Sequence, residues 1–226
     1  MLPLAGCATT QDRNARARLD ATRLLSARKP TTVTAPNPDV RVGKVALLHH
    51  DGDLAMVVEL HNGTDNPLTD LPIAVGLQRG GKRVQLNGGG SRNYFQSHVA
   101  ALPAGGDARW VFTASGVKDL GGTPYAAVGR PAQPPISAAS ALPSLAVSTL
   151  SKPGPELELR VRNGTDVPQY TLPVYAFAQR GTRYTAAGRA TLHHLGTGQE
   201  KRLKLSLVGS TAGARLSLQA LPSMFE

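Results

Sequence analysis

The chain has 226 residues, and its composition excludes several classes of function. It carries a formal net charge of +10 but only 4% aromatic residues, and arginines do not interleave with aromatic side chains as they do on nucleic-acid-binding surfaces. No apolar run approaches the roughly 18 residues that a transmembrane helix needs. The single cysteine, Cys7, excludes a disulfide bond within the chain.

The start of the chain contains the short sequence LAGC, residues Leu4–Cys7. It resembles the lipobox of bacterial lipoproteins, in which signal peptidase cuts before a cysteine that is then acylated, for example with palmitate. The resemblance implies a lipid anchor on Cys7 and a cell-envelope location, facing the periplasm or the cell exterior. Because a complete signal peptide has about 15–30 residues and a charged start, we expect the gene to begin upstream of Met1. Ala8 implies sorting to the outer membrane if the host has one; the alternative is a cytosolic protein with an accidental match.

Residues 1–38 are predicted to form a tether ahead of the folded region. The segment 11–29 has six basic and two acidic side chains, no glycine or proline and a thin apolar stripe, which favours a solvated, partly helical chain. In an alternative interpretation, these charges hold the segment near anionic lipid headgroups. Pro30 ends any helix, and the Thr- and Pro-rich residues after it are typical of an extended spacer.

A 19-residue segment occurs twice, at residues 62–80 and 163–181. The copies read NGTDNPLTDLPIAVGLQRG and NGTDVPQYTLPVYAFAQRG, and 10 of 19 positions are identical at a constant offset of 101 residues. This agreement indicates a duplicated module. The Asn-Gly-Thr-Asp sequence is predicted to end a strand in each copy, because Asn and Gly tolerate positive φ and Asp can cap its own turn.

Alternation of apolar and polar residues predicts strands around each copy. Residues 40–50 and 53–61 form a predicted hairpin around the two-residue turn Asp51-Gly52. The second copy alternates more cleanly, with leucine or valine at every second position between Leu157 and Arg162. Further strands are predicted at residues 82–86, 94–101, 109–114 and 125–128, with a flexible loop at 87–91.

The second half repeats this order of elements, so that Leu203 is expected at the position of Trp110, and residues 216–220 close the module. The chain therefore predicts an all-β fold of two tandem immunoglobulin-like antiparallel β-sandwiches. A linker rich in Pro, Ala and Ser is expected between them. The predicted boundaries are the tether at 1–38, the first sandwich at 39–131, the linker at 132–143 and the second sandwich at 144–226.

The order of strand, Asn-Gly-Thr-Asp turn, proline and apolar strand resembles the FxLYD-type and related immunoglobulin-like domains of bacterial envelope lipoproteins. The resemblance covers the central half of each module. That pattern has Tyr-Asp where this chain has Gln78-Arg79 and Gln179-Arg180. The resemblance thus implies a fold, and it implies no ligand or activity.

Residues that commonly bind metals or catalyse reactions form no recognisable pattern in this sequence. Two adjacent pairs, His49-His50 and His193-His194, are the most conspicuous candidates. Neighbouring side chains on a strand point to opposite faces, so neither pair is suited to hold one ion from a regular strand. We expect no metal, no cofactor and no catalytic residue, and we expect Trp110 to be a packing residue.

Positive charge is concentrated in the second half, where residues 131–226 contain ten basic and five acidic side chains, against nine and eight in residues 39–130. Four cations alternate with predicted core residues on two strands. If those strands share a sheet, the cations form one basic face for an anionic partner. The alternative is a solvated surface balanced by Glu156, Glu158 and Glu200. The four predicted site residues are Arg160, Arg162, Arg202 and Lys204.

Together these patterns predict a lipid-anchored, non-catalytic binding or assembly module of the cell envelope. Its expected partners are the membrane, through Cys7, and another envelope protein or an anionic envelope polymer, but no nucleic acid. The alternative function is a structural spacer or adaptor subunit of a larger envelope complex. An enzyme is disfavoured.

Overall fold

The computed structural model of the protein describes residues 32–89, 93–118, 120–131 and 142–223. The only helical element within these ranges is a single turn of 3-10 helix, Tyr94–Gln96, and the regular structure is otherwise made of antiparallel strands. The predicted all-β sandwich fold is confirmed. Three predictions lie outside the described residues. They are the lipidation of Cys7, the helical tether up to residue 31 and most of the linker, residues 132–141.

Each half of the chain forms two antiparallel sheets, and among the described residues every strand pairs only with strands of its own half. The first half contains β1 Val40–His50, β2 Asp53–Asn62, β3 Leu68–Arg79, β4 Lys82–Gln85, β5 His98–Leu102, β6 Asp107–Ser115 and β7 Thr123–Val128. The second half contains β8 Leu145–Thr149, β9 Glu156–Asn163, β10 Gln169–Arg180, β11 Arg183–Leu195, β12 Glu200–Ser206, β13 Val208–Gly209 and β14 Arg215–Ala220.

The two halves have the same topology. In the first half one sheet has the order β1-β2-β6, and in the other β3 pairs with β5 along its first part and with β4 and β7 along its second part. In the second half the matching sheets are β8-β9-β12 and β13-β11-β10-β14. The long strand β11 takes the place of both β4 and β5.

The strand registers agree with the predicted duplication. Val58 pairs with Trp110, and Leu159, which lies 101 residues after Val58, pairs with Leu203. Trp110 and Leu203 therefore hold equivalent positions, as the sequence predicted. Trp110 is fully buried, and its indole N–H donates to the carbonyl oxygens of Phe95 and His98, both at 3.1 Å.

The repeated Asn-Gly-Thr-Asp sequence has a different backbone conformation from the predicted one. Neither its asparagine nor its glycine has a positive φ angle, and each asparagine instead buries its side chain completely at the end of a strand. Positive φ occurs later in the repeat, at Asp70 (56°) and Thr171 (55°), which are again 101 residues apart. Both copies thus place an L-residue in the left-handed region, where backbone strain is expected.

Two predicted elements of the first half differ in part from the structure. Residues 94–101 begin as the 3-10 turn and become β5 only at His98, because the side chain of Asn93 accepts a hydrogen bond from the Phe95 N–H at 3.1 Å and caps the turn. Asn87, predicted to start a flexible loop, is buried. Its amide bonds the backbone of Val75 and Ile73, which joins this segment to β3.

The two sandwiches pack against each other. On β2 the residues Leu54, Met56 and Val58 face the core of the first sandwich, while Ala55 and Val57 on the opposite face are also completely buried. The residues that cover this second face come from β10 and β11, and one continuous cluster of buried side chains joins the two halves. From the second half this cluster contains Tyr175, Phe177, Tyr184, Ala187 and Leu221.

Candidate functional site

The predicted basic face lies where the sequence placed it, on paired strands β9 and β12 of one sheet. Three of its four cations form ion pairs across these strands: Arg160 with Glu200 at 3.0 Å, Arg202 with Glu158 at 3.4 Å and Lys204 with Glu156 at 3.4 Å. These seven residues are called the charge ladder: Glu156, Glu158, Arg160, Arg162, Glu200, Arg202 and Lys204.

The charge ladder is nearly neutral, since four cations face three carboxylates. Arg162 lies opposite Glu200 in the register, but Glu200 already pairs with Arg160, and no described carboxylate forms an ion pair with Arg162. Exposed ion pairs of this kind contribute about 0–1 kcal/mol each. The geometry therefore favours the predicted alternative, a solvated surface with counter-charges.

Polar side chains hold the two sandwiches together at the edges of their apolar contact. Arg109 on β6 lies 4.4 Å from the centroid of the Phe177 ring and donates to the Ser217 hydroxyl at 3.1 Å. The Tyr184 hydroxyl donates to the Glu59 carboxylate at 2.6 Å. We call this contact between the β1-β2-β6 sheet and the β10-β11 sheet the interface.

A third connection at the interface involves the 3-10 turn of the first sandwich. Arg189 donates to the Phe95 carbonyl at 2.7 Å and to the Asn93 side chain at 3.1 Å, and Asn93 in turn donates to the Thr191 hydroxyl at 2.7 Å. Desolvation by burial lowers the pKa of Arg189, while its Coulomb interaction with Tyr175 opposes this shift. The short turn thus connects the two sandwiches through hydrogen bonds.

Two tyrosines of the interface have raised pKa values. Burial raises the pKa of Tyr175 to about 12, and the charge of Arg189 lowers it by less. Burial also raises the pKa of Tyr184 to about 12, and the hydrogen bond to the carboxylate of Glu59 and its charge act in the same direction. The Tyr175 hydroxyl is buried, and no described residue forms a hydrogen bond with it.

One end of the interface opens into a cleft of about 510 Å³, here called the His61 cleft. His61 and Asp107 form a pair with 2.8 Å between Nδ1 and Oδ1, and the exposed fractions of their side chains are 33% and 83%. Arg41, Glu59 and Arg109 supply further charges of both signs. No serine, threonine or cysteine lines this cleft among the described residues, so the His–Asp pair has no hydroxyl or thiol there to activate.

A second cleft of about 430 Å³, here called the Arg183 cleft, lies between the β1–β2 hairpin and the second sandwich. Its basic lining residues are Arg180 and Arg183, which flank the turn between β10 and β11, and His49, near the end of β1; Tyr184 also lines it. No aspartate or glutamate lines it among the described residues. The Arg183 cleft therefore has two arginines and no carboxylate in its lining, whereas three of the four cations of the charge ladder form ion pairs.

Sequence reasoning missed both clefts, because it did not predict that the sandwiches touch. The available signal was apolar character on both faces of single strands: Ala55 and Val57 on β2, and Tyr175 and Phe177 on β10. Strands buried on both faces form near-continuous apolar runs. The histidine pairs 49–50 and 193–194 lie on β1 and β11, and no group of three or more His, Cys, Asp or Glu residues close enough to hold a metal ion occurs in the described part of the chain.

Two comparisons address membrane insertion and family membership. Within the described ranges, no helix is long and apolar enough to cross a membrane. No protein-family model matches the chain, and a search of curated proteins found no match either.

Proposed function

We propose that the protein is a lipid-anchored, non-catalytic binding or assembly module of the cell envelope, in which two sandwiches act as one body. The anchor is inferred from LAGC at Leu4–Cys7, and this inference rests on the sequence. The FxLYD-type resemblance supports the same location and remains a prediction. The structural observation that carries the binding role is the interface.

The interface favours a binding module over a spacer for a physical reason. A spacer needs only connected units, and exposed modules on a Pro-, Ala- and Ser-rich linker are free to move. Here β10 and β11 cover the outer face of the β1-β2-β6 sheet. Ala55 and Val57 of β2 and Val111 of β6 are fully buried there. Fixing two sandwiches face to face creates clefts lined by residues from both halves, as the His61 cleft shows with Asp107 and Gln219. Clefts between packed units are common ligand-binding sites.

The anchor is tested in the native host from the chromosomal gene, with an epitope tag after Glu226. Cells are labelled with radioactive palmitate and fractionated. We expect the wild-type protein to carry label and to sediment with membranes, and Cys7→Ser to lose both properties. Ala8→Ser is the matched control, because it alters the neighbouring residue and keeps the thiol. An unlabelled wild-type protein in the cytosol would contradict the proposal.

The binding role is tested by affinity purification from detergent-solubilised membranes. Ala55→Asp places a charge in the closed interface and should separate the sandwiches, which small-angle scattering would show as a larger radius of gyration. Ser148→Asp, on the exposed strand β8, adds the same charge away from the interface. We expect the partner to be retained by the wild type and by Ser148→Asp and to be lost from Ala55→Asp. Retention by a separated but folded Ala55→Asp would favour the spacer or adaptor instead.

A further inference from the structure

We propose that the Arg183 cleft binds a phosphate-bearing anion. The proposal names a ligand class for the binding module and rests on that proposed role. It concerns a location that the sequence did not single out: the predicted anion-binding residues are those of the charge ladder, on the β9–β12 face.

The first argument is the placement of two like charges. Arg180 and Arg183 are direct cross-strand partners in the β10–β11 hairpin, separated by the turn Gly181-Thr182. Side chains directly opposite each other on antiparallel strands have Cβ atoms about 4.5–5.5 Å apart, and like charges at that position are destabilising. An anion between the two guanidinium groups would remove the repulsion.

The second argument is the lack of protein counter-charge. No carboxylate lines the Arg183 cleft among the described residues, and no described residue forms an ion pair with Arg180 or Arg183. Two carboxylates lie near lining residues without lining the cleft themselves: Asp51, two residues after His49, and Glu59, which is hydrogen-bonded to Tyr184. The Oδ2 atom of Asp51 lies 3.3 Å from Nε2 of His50, and the Glu59 carboxylate accepts a hydrogen bond from the Tyr184 hydroxyl. In the charge ladder, by contrast, three of the four cations form ion pairs with carboxylates of the same sheet.

The third argument is the donor chemistry. Arg180 is held in place because its Nε and Nη2 donate to the Ala212 carbonyl, which leaves other N–H donors of its guanidinium for a ligand. The Ser210 hydroxyl lines the same cleft and accepts from the Ala212 N–H at 3.3 Å. No described residue accepts the hydroxyl's own proton. Lys44 donates to the Thr182 carbonyl at the hairpin turn and adds a third positive charge beside the cleft.

Charge and size favour phosphate over a single carboxylate. A phosphate monoester carries about −1.5 to −2 charges at pH 7, which matches two guanidinium groups. The planar fork of arginine bonds phosphate oxygens in pairs. The volume of about 430 Å³ leaves room for more than the phosphate itself. The same chemistry occurs in soluble phosphorylated compounds and in phospholipid headgroups, and the experiment below separates these sources.

The test uses the full chain with Cys7→Ser, so that no lipid anchor contributes. Inorganic pyrophosphate is titrated by calorimetry, and vesicles of phosphatidylcholine with or without phosphatidylglycerol are tested by co-sedimentation. We expect Arg183→Gln to weaken binding at least tenfold. Arg162→Gln on the charge ladder removes one exposed cation elsewhere and should change affinity less than twofold. Arg183→Lys should restore only part of the affinity.

Pyrophosphate binding assigns a soluble ligand, and binding to phosphatidylglycerol vesicles alone assigns a headgroup. Each supports the proposal only if Arg183→Gln reduces the binding and Arg162→Gln does not. Equal losses in the two variants, or binding of neither probe, would overturn it. Arg183 is exposed and lies opposite a like charge, so without ligand its variant should melt at or slightly above the wild-type temperature; if it does not fold, Lys44→Gln serves in its place. Palmitate labelling of Cys7 is a separate readout, so the anchor and this cleft can fail independently.

Discussion

The two sandwiches share one repeated motif and differ in one segment, which lies between β3 and β6 in the first sandwich and between β10 and β12 in the second. In the second sandwich β11 crosses this region as a single strand, Arg183–Leu195. In the first sandwich the same region is longer and is divided into β4, the 3-10 turn Tyr94–Gln96 and β5. The Asn62 and Asn163 networks, by comparison, are almost identical.

The longer segment explains why the two halves can pack together although they derive from one module. Its Asn93 and the Phe95 carbonyl bond to Arg189 of the second sandwich. Trp110 bonds to the same Phe95 carbonyl from inside the first sandwich, and the equivalent residue Leu203 has no such segment to support. The shared features maintain the fold, whereas the features present in one copy form the interface.

The largest expected effect comes from the position where the copies differ most. Trp110→Ala removes a fully buried side chain and both of its indole hydrogen bonds, and we expect a loss of about 3–5 kcal/mol in the free energy of unfolding. Leu203→Ala at the equivalent, partly buried position should cost about 1–2 kcal/mol. Urea denaturation measures both. Equal losses would mean that Trp110 has no role beyond that of its counterpart.

A second comparison concerns the position where the copies agree. Asn62 accepts from the Thr64 N–H at 3.0 Å and donates to the Asn66 carbonyl at 2.8 Å, and Asn163 makes the same bonds with Thr165 and Val167 at 3.0 and 2.9 Å. Replacing either asparagine by alanine removes these bonds and leaves a partly buried backbone N–H, that of Thr64 or Thr165, without its side-chain acceptor.

We expect about 2–3 kcal/mol of destabilisation from Asn62→Ala and from Asn163→Ala, measured by denaturant unfolding. The aspartate variants are the controls, because they keep the acceptor and lose the two N–H donors. A change below about 0.5 kcal/mol at either position would show that its network does not stabilise the fold.

The smallest predicted effects are those of replacing two tyrosines of the interface by phenylalanine. Tyr184→Phe removes the hydrogen bond to Glu59 and should cost about 1 kcal/mol, whereas Tyr175→Phe removes a buried hydroxyl without a described partner and should be neutral or slightly stabilising. Because folding raises the pKa of Tyr184 from 10.0 to about 12, its proton is held more tightly in the folded state.

The contribution of protonated Tyr184 to the free energy of unfolding is complete below pH 10, and it is lost as the pH rises towards 12. Thermal melts between pH 9 and pH 12 should therefore show a smaller decline for Tyr184→Phe than for the wild type. Parallel declines would contradict the assignment of alkaline destabilisation to this residue.

Local patterns predicted most of the strands and little of the interface. The alternation of apolar and polar residues predicted β2 and β9, and the Asp51-Gly52 turn predicted the first hairpin. Both signals depend only on residues that are neighbours in the sequence. The 3-10 turn was missed because Asn93 caps it in a segment whose apolar residues also suit a strand. The local bonds of the asparagine networks were missed because Asn-Gly was interpreted as a turn with positive φ, and the partners Pro103 and Leu195 were missed because they lie more than 30 residues away.

The candidate site was only partly predictable for a similar reason. The face of the charge ladder follows from strand alternation, and the structure shows that its two strands share a sheet. The ion pairs depend on which carboxylate each cation reaches across the strands, which a strand pattern does not determine. The Arg183 cleft depends on the docking of two sandwiches, which places His49 near a turn more than 130 residues further along the chain.

The closed face of β2 also affects the order in which the protein matures. The chain emerges from its N-terminus, so the first sandwich can fold before β10 and β11 exist. Until they arrive, Ala55, Val57 and Val111 form an exposed apolar sheet face that can associate with other nascent chains. The contact between Glu59 and Tyr184, 125 residues apart, cannot form until β11 has been synthesised. A pause in synthesis between residues 131 and 175 would therefore prolong the time for which this apolar face is exposed.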